Sequence, residues 1–430
     1  MFSRAIQFIR HRTYGLVLAC CLAGCVLPFA IDRCATIWNR PTNWGHNAAA
    51  DARRIFLAGI AARMGLDPTE PESLMQAYET PEAQVVPLNM PTTHRAGKYS
   101  DFATMYPATL APIMMPFAKH SWTWFLYWWR YLIFGTFCVG VTASGLGAAK
   151  GKWAPIGGVL ALYFAMGTPH AILDICLRIG QANLFVAGIM GLVMGLTAFG
   201  LNRSAISASL LGASVKLVPA IALAAIGLRL SLKEIMWAIL SIGLIVFGVS
   251  YWTPIDRFIE DLYLIAGQQQ MARSHLLINA DSVLRFLEAF RVKPMAIVSV
   301  ISIAIALRYV NGDAKKSAAV VSTGVALLSL WLGTAASAIM DHYSILLVPG
   351  MLFVGLWPLR ENSPWWSWLF LPVIVGPSLM VPQAIYQYHE LIFLFAMGFV
   401  SWVLCLFQLA VVSIRSASTD QHTAASLSKS

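Results

Sequence analysis

Charge is what this chain has least of. Only 12% of its 430 residues are Asp, Glu, Lys or Arg and 58% are hydrophobic, against about 25% charged in an ordinary soluble domain; mean hydropathy is +0.66. So little charge cannot clothe a soluble globule, and the chain reads as a polytopic membrane protein. Acidic residues are scarcer than basic ones, 20 against 30, for a formal charge of +10. That excess does not imply nucleic acid, because the Lys and Arg residues are scattered at the ends of apolar runs and form no continuous patch. The seven cysteines are an odd number, most within apolar runs, where they read as small core residues. Only Cys34 and Cys176 fall outside them on one expected side, where a disulfide has no further support. Leu22-Ala23-Gly24-Cys25 has the form of a lipoprotein cleavage box, but the apolar run continues through Ile31 and is read as an uncleaved span. No internal repeat is evident. Nucleotide and metal signatures are also missing: no GxxxxGK(S/T), GxGxxG or DxD, and no His-Cys cluster. A transferase using a nucleotide sugar needs a cradle for a diphosphate, whereas a lipid-phosphate donor can arrive sideways from the bilayer.

What is present is a series of about ten apolar runs long enough to span. They lie at Tyr14 to Ile31, Thr123 to Gly147, Trp153 to Gly167, Ala182 to Leu201 and Glu234 to Ser250, then at Pro294 to Val310, Ala318 to Ile339, Tyr343 to Trp357, Trp365 to Leu379 and Leu391 to Val412. Ala205 to Leu228 is broken by Gly212, Lys216 and Pro219, and reads as two half-helices that dip in and return. Ala103 to Ala118, punctuated by Pro107, Pro112 and Pro116, reads as a re-entrant or interfacial piece. The expected fold is therefore all-α, one transmembrane domain over residues 1–415 with a polar, disordered tail over 416–430. Arg4, Arg10 and Arg12 place the N-terminus in the cytoplasm, and alternation brings Lys150, Arg203, Lys233, Arg308, Arg360 and Arg415 to the same side, with the C-terminus. The opposite, extracytoplasmic side receives the polar insert Asp32 to Phe102, the segment Thr168 to Gln181, the amphipathic loop Tyr251 to Lys293 and the turn at Asp341-His342.

An ionisable group at a membrane boundary is costly and needs a reason to be there. Asp51 opens AADARRIFLAGIAARMGLDP, with Arg53 and Arg54 on one side and Leu57, Ile60, Ala61 and Met64 on the other, the pattern of an amphipathic helix at a membrane surface. From position alone Asp51 is either a helix cap or surface partner of Arg54, or a general base that takes a proton from an acceptor hydroxyl. His342, in SAIMDHYSILLVPG, is either structural or a partner for a phosphate or carboxylate on the face of Asp51. Arg178, Gln181 and Asn183 crowd the start of a Gly-containing span, to bond between helices or to hold sugar hydroxyls and phosphate oxygens. Lys216, at the break of the half-helix pair, either snorkels to the cytoplasmic surface or meets an anion. Tyr106, in DFATMYPATLAPIMMP, is a further candidate.

The order DARRIFLAGIAARMGLDP, MYPATLAPIMMPFA, GQANLFVAGIMGL, SVKLVPA and DHYSILLVP, from Asp51 to Pro349, resembles glycosyltransferase family 87, membrane enzymes of the GT-C type. The family includes polyprenyl-phosphate-mannose-dependent α-mannosyltransferases of phosphatidylinositol mannoside synthesis. The resemblance implies a GT-C-type helical bundle in the plasma membrane, with amphipathic helices in its first outer loop and its site on the extracytoplasmic face. It matches Asp51 to the catalytic Asp, His342 to a His that works with it, and Gln181 to the Gln of a GQxN stretch. It implies transfer of a sugar, mannose first, from a polyprenyl-phosphate donor to a glycolipid or lipid-linked glycan, with no cofactor and no metal. The chain departs from the family at Tyr106-Pro107-Ala108, where Tyr-Pro-Pro is usual. It departs again at Asn279-Ala280-Asp281-Ser282, where an Asn-Gln-Ser-Leu type motif is usual, and at Met340-Asp341, where a Trp is common near the His. A transporter or flippase of anionic lipid-linked substrates is the other class compatible with the broken half-helices, and a ligase using a diphosphate-linked donor is a third.

Overall fold

The computed structural model describes residues 50–83, 106–166, 180–216, 232–260 and 348–360, with isolated positions at 173, 176, 177, 219, 345, 346, 403 and 407. The described residues form helices and turns without a strand. In chain order the helices are α1 (Ala50–Arg63), α2 (Pro71–Tyr78), α3 (Leu110–Met114), α4 (Trp122–Ala149), α5 (Ala154–Met166), α6 (Asn183–Ala198), α7 (Asn202–Val215), α8 (Leu232–Val249) and α9 (Val348–Leu356). Helices α4, α5, α6, α8 and α9 fall on apolar runs recognised in the sequence. Of these, α4 and α8 are long and apolar enough to cross a membrane. The runs at Tyr14, Pro294, Ala318 and Trp365 lie outside the described residues, as does the Leu391 run apart from Val403 and Phe407, together with Cys34, the tail 416–430, Arg178 and His342.

Helix α4 is the axis of the bundle. Ser121 caps it by accepting from the Trp124 amide at 3.4 Å, and its 28 residues rise about 42 Å. Its neighbour α6 packs through small residues. A Cβ at Gly140 would run into the backbone of Gly188, one at Gly191 would lie 2.5 Å from the Gly140 carbonyl oxygen, and one at Gly195 would lie 2.5 Å from that of Ala143. Backbones this close require glycine, as in small-xxx-small helix pairs. Because Gly140 faces Gly188 and Gly147 faces Ala198, α4 and α6 run parallel. Helix α5 returns antiparallel between them in sequence, Gly145 against Ala161 and Ala149 against Gly157, after a turn with positive φ at Lys150 and Gly151. Helix α9 is tied to α4 by Ser144 Oγ donating to the Pro349 carbonyl at 2.9 Å and by Arg360 Nη2 reaching that of Gly147 at 3.4 Å.

Helices α6 and α7 form an antiparallel hairpin whose turn uses Gly200 at φ +76°. The 14 residues of α7 rise only about 21 Å, and the chain leaves the helix at Lys216 in extended conformation. It then folds back, with Ser209 Oγ donating to the Pro219 carbonyl at 2.5 Å. Helix α8 runs beside α7 in the same direction, joined by Asn202 Nδ2 to Glu234 Oε1 at 2.9 Å and Trp237 Nε1 to Ser207 Oγ at 3.2 Å.

These directions define the two ends of the bundle. Lys150, Arg203, Lys233 and Arg360 stand at one end, where α4 and α9 finish and α7 and α8 begin. The opposite end gathers the starts of α4 and α6, the finishes of α7 and α8, and α1 with α2 and α3. There Phe56 of α1 packs against Trp122 and Phe125 of α4 with ring centroids 5.4 and 4.8 Å apart. Trp252, just past α8, donates from Nε1 to the Ala62 carbonyl at 2.7 Å. Arg257 pairs with Glu70 at 2.5 Å and with Asp67 at 3.7 Å.

One expectation is corrected here. The pattern of DARRIFLAGIAARM predicts a helix with one apolar face and a solvated arginine face, whereas α1 is enclosed on nearly every side and Arg53 has no exposed surface. The physical reason is that α2, α3 and the aromatic start of α4 pack around it, and the backbone at Gly180 closes on its first turn. Only the last residues, such as Met64 at 45%, are exposed.

Candidate active site

At the end of the bundle away from Lys150, α1 presents Asp51 in its first turn. The helical i, i+3 spacing brings Arg54 Nη1 to 3.5 Å from Asp51 Oδ1. The pair forms as its spacing predicts, but as a largely buried pair and not a surface one: the two side chains keep 14% and 12% exposure, and Asp51 sits inside the helix and not at a cap. Desolvation pushes the Asp51 carboxyl above its ordinary value of 3.8, while Arg54 foremost, then Lys216 and Arg53, pull in the opposite direction. A carboxylate whose proton affinity is raised by burial and moderated by cations has the balance a general base needs.

Lys216 arrives from the far end of α7. Its Nζ donates to Asn183 Oδ1 at 2.6 Å and stands 5.9 Å from the centre of the Tyr106 ring, within cation–π range. This overturns the cytoplasmic snorkel as a reading of Lys216: the residue is buried at the opposite end from Lys150 and acts on Asp51. Asn183 is the first residue of α6 and has no exposed surface. Two residues earlier, buried Gln181 accepts at Oε1 from the Tyr106 hydroxyl at 3.1 Å. Tyr106 is positioned in turn by the segment leading into α3, where Thr109 Oγ1 donates to the Ser214 carbonyl at 2.6 Å. Asp51, Arg53, Arg54, Tyr106, Gln181, Asn183 and Lys216 thus meet in one buried cluster drawn from four separated stretches of chain.

Sequence reasoning missed the residues that hold these stretches together. Gly180 has φ +66°, and a Cβ there would stand 2.5 Å from that of Ala52, the neighbour of Asp51. Trp129 Nε1 donates to the Gly180 carbonyl at 2.9 Å, Arg130 Nε to that of Leu177 at 3.2 Å, and the Gln181 amide to that of Cys176 at 2.8 Å. The glycine directly before Gln181 was the one available signal, since only glycine adopts such a φ without cost.

Beside the cluster a narrow cleft, partly open to solvent and with room for about one water molecule, passes between α1 and the segment before α3. Arg54 and Tyr106 supply its polar edge, and Ile55, Leu74 and Leu110 its apolar wall. No family model, curated protein or solved structure matches the chain.

Proposed function

We propose that the chain is a polytopic GT-C-type membrane glycosyltransferase that moves a sugar, mannose first among the candidates, from polyprenyl phosphate to a hydroxyl of a lipid-linked or cell-envelope glycan. The observation that carries this reading is the buried carboxylate of Asp51 held among Arg54, Lys216 and Arg53 at one end of an apolar helical bundle. On this reading Asp51 accepts the proton of the acceptor hydroxyl as that oxygen attacks the anomeric carbon. The bond from that carbon to the lipid phosphate breaks, inverting the centre and leaving polyprenyl phosphate. Lys216, Arg54 and Arg53 offset the charge that develops on the departing phosphate, as preorganised cations do in a dry site. Gln181, Asn183 and Tyr106 orient sugar hydroxyls, and the resemblance and sequence position add His342 as a partner of Asp51 or of the donor phosphate and Arg178 as a phosphate or sugar ligand.

The end bearing Lys150, Arg203, Lys233 and Arg360 faces the cytoplasm under the positive-inside rule, so that Asp51 faces the extracytoplasmic side of the plasma membrane. Both termini are then cytoplasmic. The test is transfer of radiolabelled sugar from purified polyprenyl-phosphate donor into extracted membrane glycolipid. Asp51→Asn is expected to lower transfer by about 10²- to 10⁴-fold while eluting from size exclusion as the parent does; undiminished transfer would sink the assignment.

A second reading, a transporter of anionic lipid-linked substrates, is favoured by the short α7 that ends at buried Lys216. Substrate crossing sealed vesicles with its glycosidic bond intact would select it.

A further inference from the structure

One face of α4 carries an ordered change of chemistry that no part of the proposed reaction uses. Lys119 and Ser121 are exposed immediately before the helix. Over its first three turns the exposed stripe is Trp124, Tyr127, Trp128 and Tyr131, with Tyr127 and Trp128 each half exposed. The stripe then continues on the same face as Leu132, Gly135 and Val139, the last 59% exposed. The spacing of three and four residues keeps all of these on one side, while Trp122, Phe125, Trp129 and Ile133 turn inward and are buried. The exposed rings also support one another. Ring centres of Trp124 and Trp128 lie 6.0 Å apart, those of Tyr127 and Tyr131 4.6 Å, and those of His120 and Trp124 3.9 Å at a tilt of 35°.

Polar, then amphipathic aromatic, then aliphatic is the order met on passing from water through the headgroups into hydrocarbon, where Trp and Tyr concentrate at the boundary. A glycan platform would need the aromatic rings but not the aliphatic continuation. The lengths agree as well: Tyr131 to Ala149 rises about 27 Å at 1.5 Å per residue, close to the roughly 30 Å hydrocarbon thickness. With Tyr131 at one boundary, Lys150 therefore reaches the other. At the aromatic end Tyr251 is 80% exposed just past α8, which puts a second helix's aromatic finish at the same end.

We infer that the Trp124 to Tyr131 stripe seats α4 in the lipid headgroup layer, and that the Asp51 cluster consequently works at headgroup depth. The connection is direct, because Phe56 of α1 packs on Trp122 and Phe125, and Trp129 bonds the Gly180 carbonyl beside Gln181. A substrate's phosphate at Lys216 would then stand level with the phosphates of the surrounding lipids, and its apolar tail would never have to leave the bilayer. The inference rests on the membrane placement in the proposed function but not on the chemistry assigned to Asp51.

The test uses the full chain with its native cysteines replaced by Ala, carrying one nitroxide at a time and reconstituted in vesicles of phosphatidylcholine and phosphatidylglycerol. Labels go at Lys119, Trp124, Gly135, Val139 and, on α1, Met64. Collision rates with oxygen and with a water-soluble nickel chelate report depth. Nickel access is expected to be high at Lys119, intermediate at Trp124 and lost at Gly135 and Val139. The last two should differ in depth by about 6 Å, and Met64 should lie no deeper than Trp124. Nickel access at Val139 equal to that at Lys119 would overturn the inference, since the stripe would face water and suit a glycan or soluble protein. Loss of both collisions along the whole stripe would overturn it too, since another protein element would cover it, and so would a Met64 label as deep as Val139. Each labelled variant is first required to elute as the parent does. Because the profile is independent of catalysis, inactivity of the Asp51→Asn variant leaves it unchanged, and failure of the depth profile leaves the transfer assay standing.

Discussion

Lys216 Nζ lies 2.6 Å from Asn183 Oδ1, joining the residue that ends α7 to the first residue of α6. The two residues stand at the open end of a helical hairpin whose turn is at Gly200, so a short contact between them requires both helices to keep their lengths and register. That same contact holds a cation where it acts on Asp51. The electrostatics of the site thus depend on packing along the whole hairpin.

The pH dependence of transfer follows from these placements. Asp51 acts as a base only when ionised, and burial raises its pKa above 3.8, so the rate should rise with pH along a limb displaced upward from the ordinary carboxylate range. Arg54→Gln and Lys216→Met each remove a cation that lowers this pKa and should move the limb to higher pH, Arg54→Gln the further of the two. A pH–rate profile of kcat/KM for the three proteins checks the order; coincident limbs would remove Asp51 from the titration. The same shift enters stability with a definite sign. The folded state holds the Asp51 proton more tightly than the unfolded state, so its contribution is complete below pH 3.8 and is lost as pH rises through the folded pKa. Thermal unfolding of Asp51→Asn should lack this component of the fall with pH.

Tyr106 and Gln181 should behave as a coupled pair. Tyr106→Phe removes the donor and leaves the Gln181 Oε1, on a residue only 4% exposed, without that bond. The expected cost is about 1–3 kcal/mol, read from thermal unfolding in detergent. In the double variant Tyr106→Phe/Gln181→Leu the loss should be smaller than the sum of the single losses by at least about 0.5 kcal/mol. Strict additivity would mean that the 3.1 Å contact carries no energy.

Two glycines on facing helices should respond oppositely to alanine. At Gly188 a Cβ meets the backbone of α4 near Thr136, and overpacking there is expected to cost about 1–3 kcal/mol. At Gly135 nothing lies within 4 Å, and alanine should raise stability by up to about 1 kcal/mol through helix propensity. The comparison isolates the close helix approach from any general effect of substituting glycine.

Gly180→Ala should impair the site more than the fold. The new methyl meets Ala52 beside Asp51 and also carries φ +66°, which displaces Gln181 from α1. Trp129→Phe, which removes the bond to the Gly180 carbonyl, should do the same more mildly. Both variants are expected to lower kcat while changing KM little, and the pH limb of Asp51 should move as its surroundings open; unaltered kcat with lowered thermal stability would make Gly180 purely structural.

The helices over Trp122–Ala149, Ala154–Met166, Asn183–Ala198 and Leu232–Val249 were legible in the sequence because an apolar run of such length has one economical structure, in which every backbone amide is bonded within the helix. Asp51 as a residue of interest, the break at Lys216 and the closeness of Asp51 to Arg54 were legible for equally local reasons. The enclosure of Arg53 and the destination of Lys216 were not, because both depend on partners supplied from remote parts of the chain: Phe125 and Gly180 crowd the helix that carries Arg53, and Asn183 meets Lys216. Composition and local periodicity alone therefore determined the apolar helices of the described residues. Only the tertiary structure decided which ends meet. The parallel approach of α4 and α6 through Gly140, Gly188 and Gly191 sets their register by backbone contact, and that register brings Tyr106, Gln181, Asn183 and Lys216 to Asp51. Hydrogen bonds act only within a few ångströms, so a pairing between distant residues exists only once close packing has fixed where each helix begins and ends.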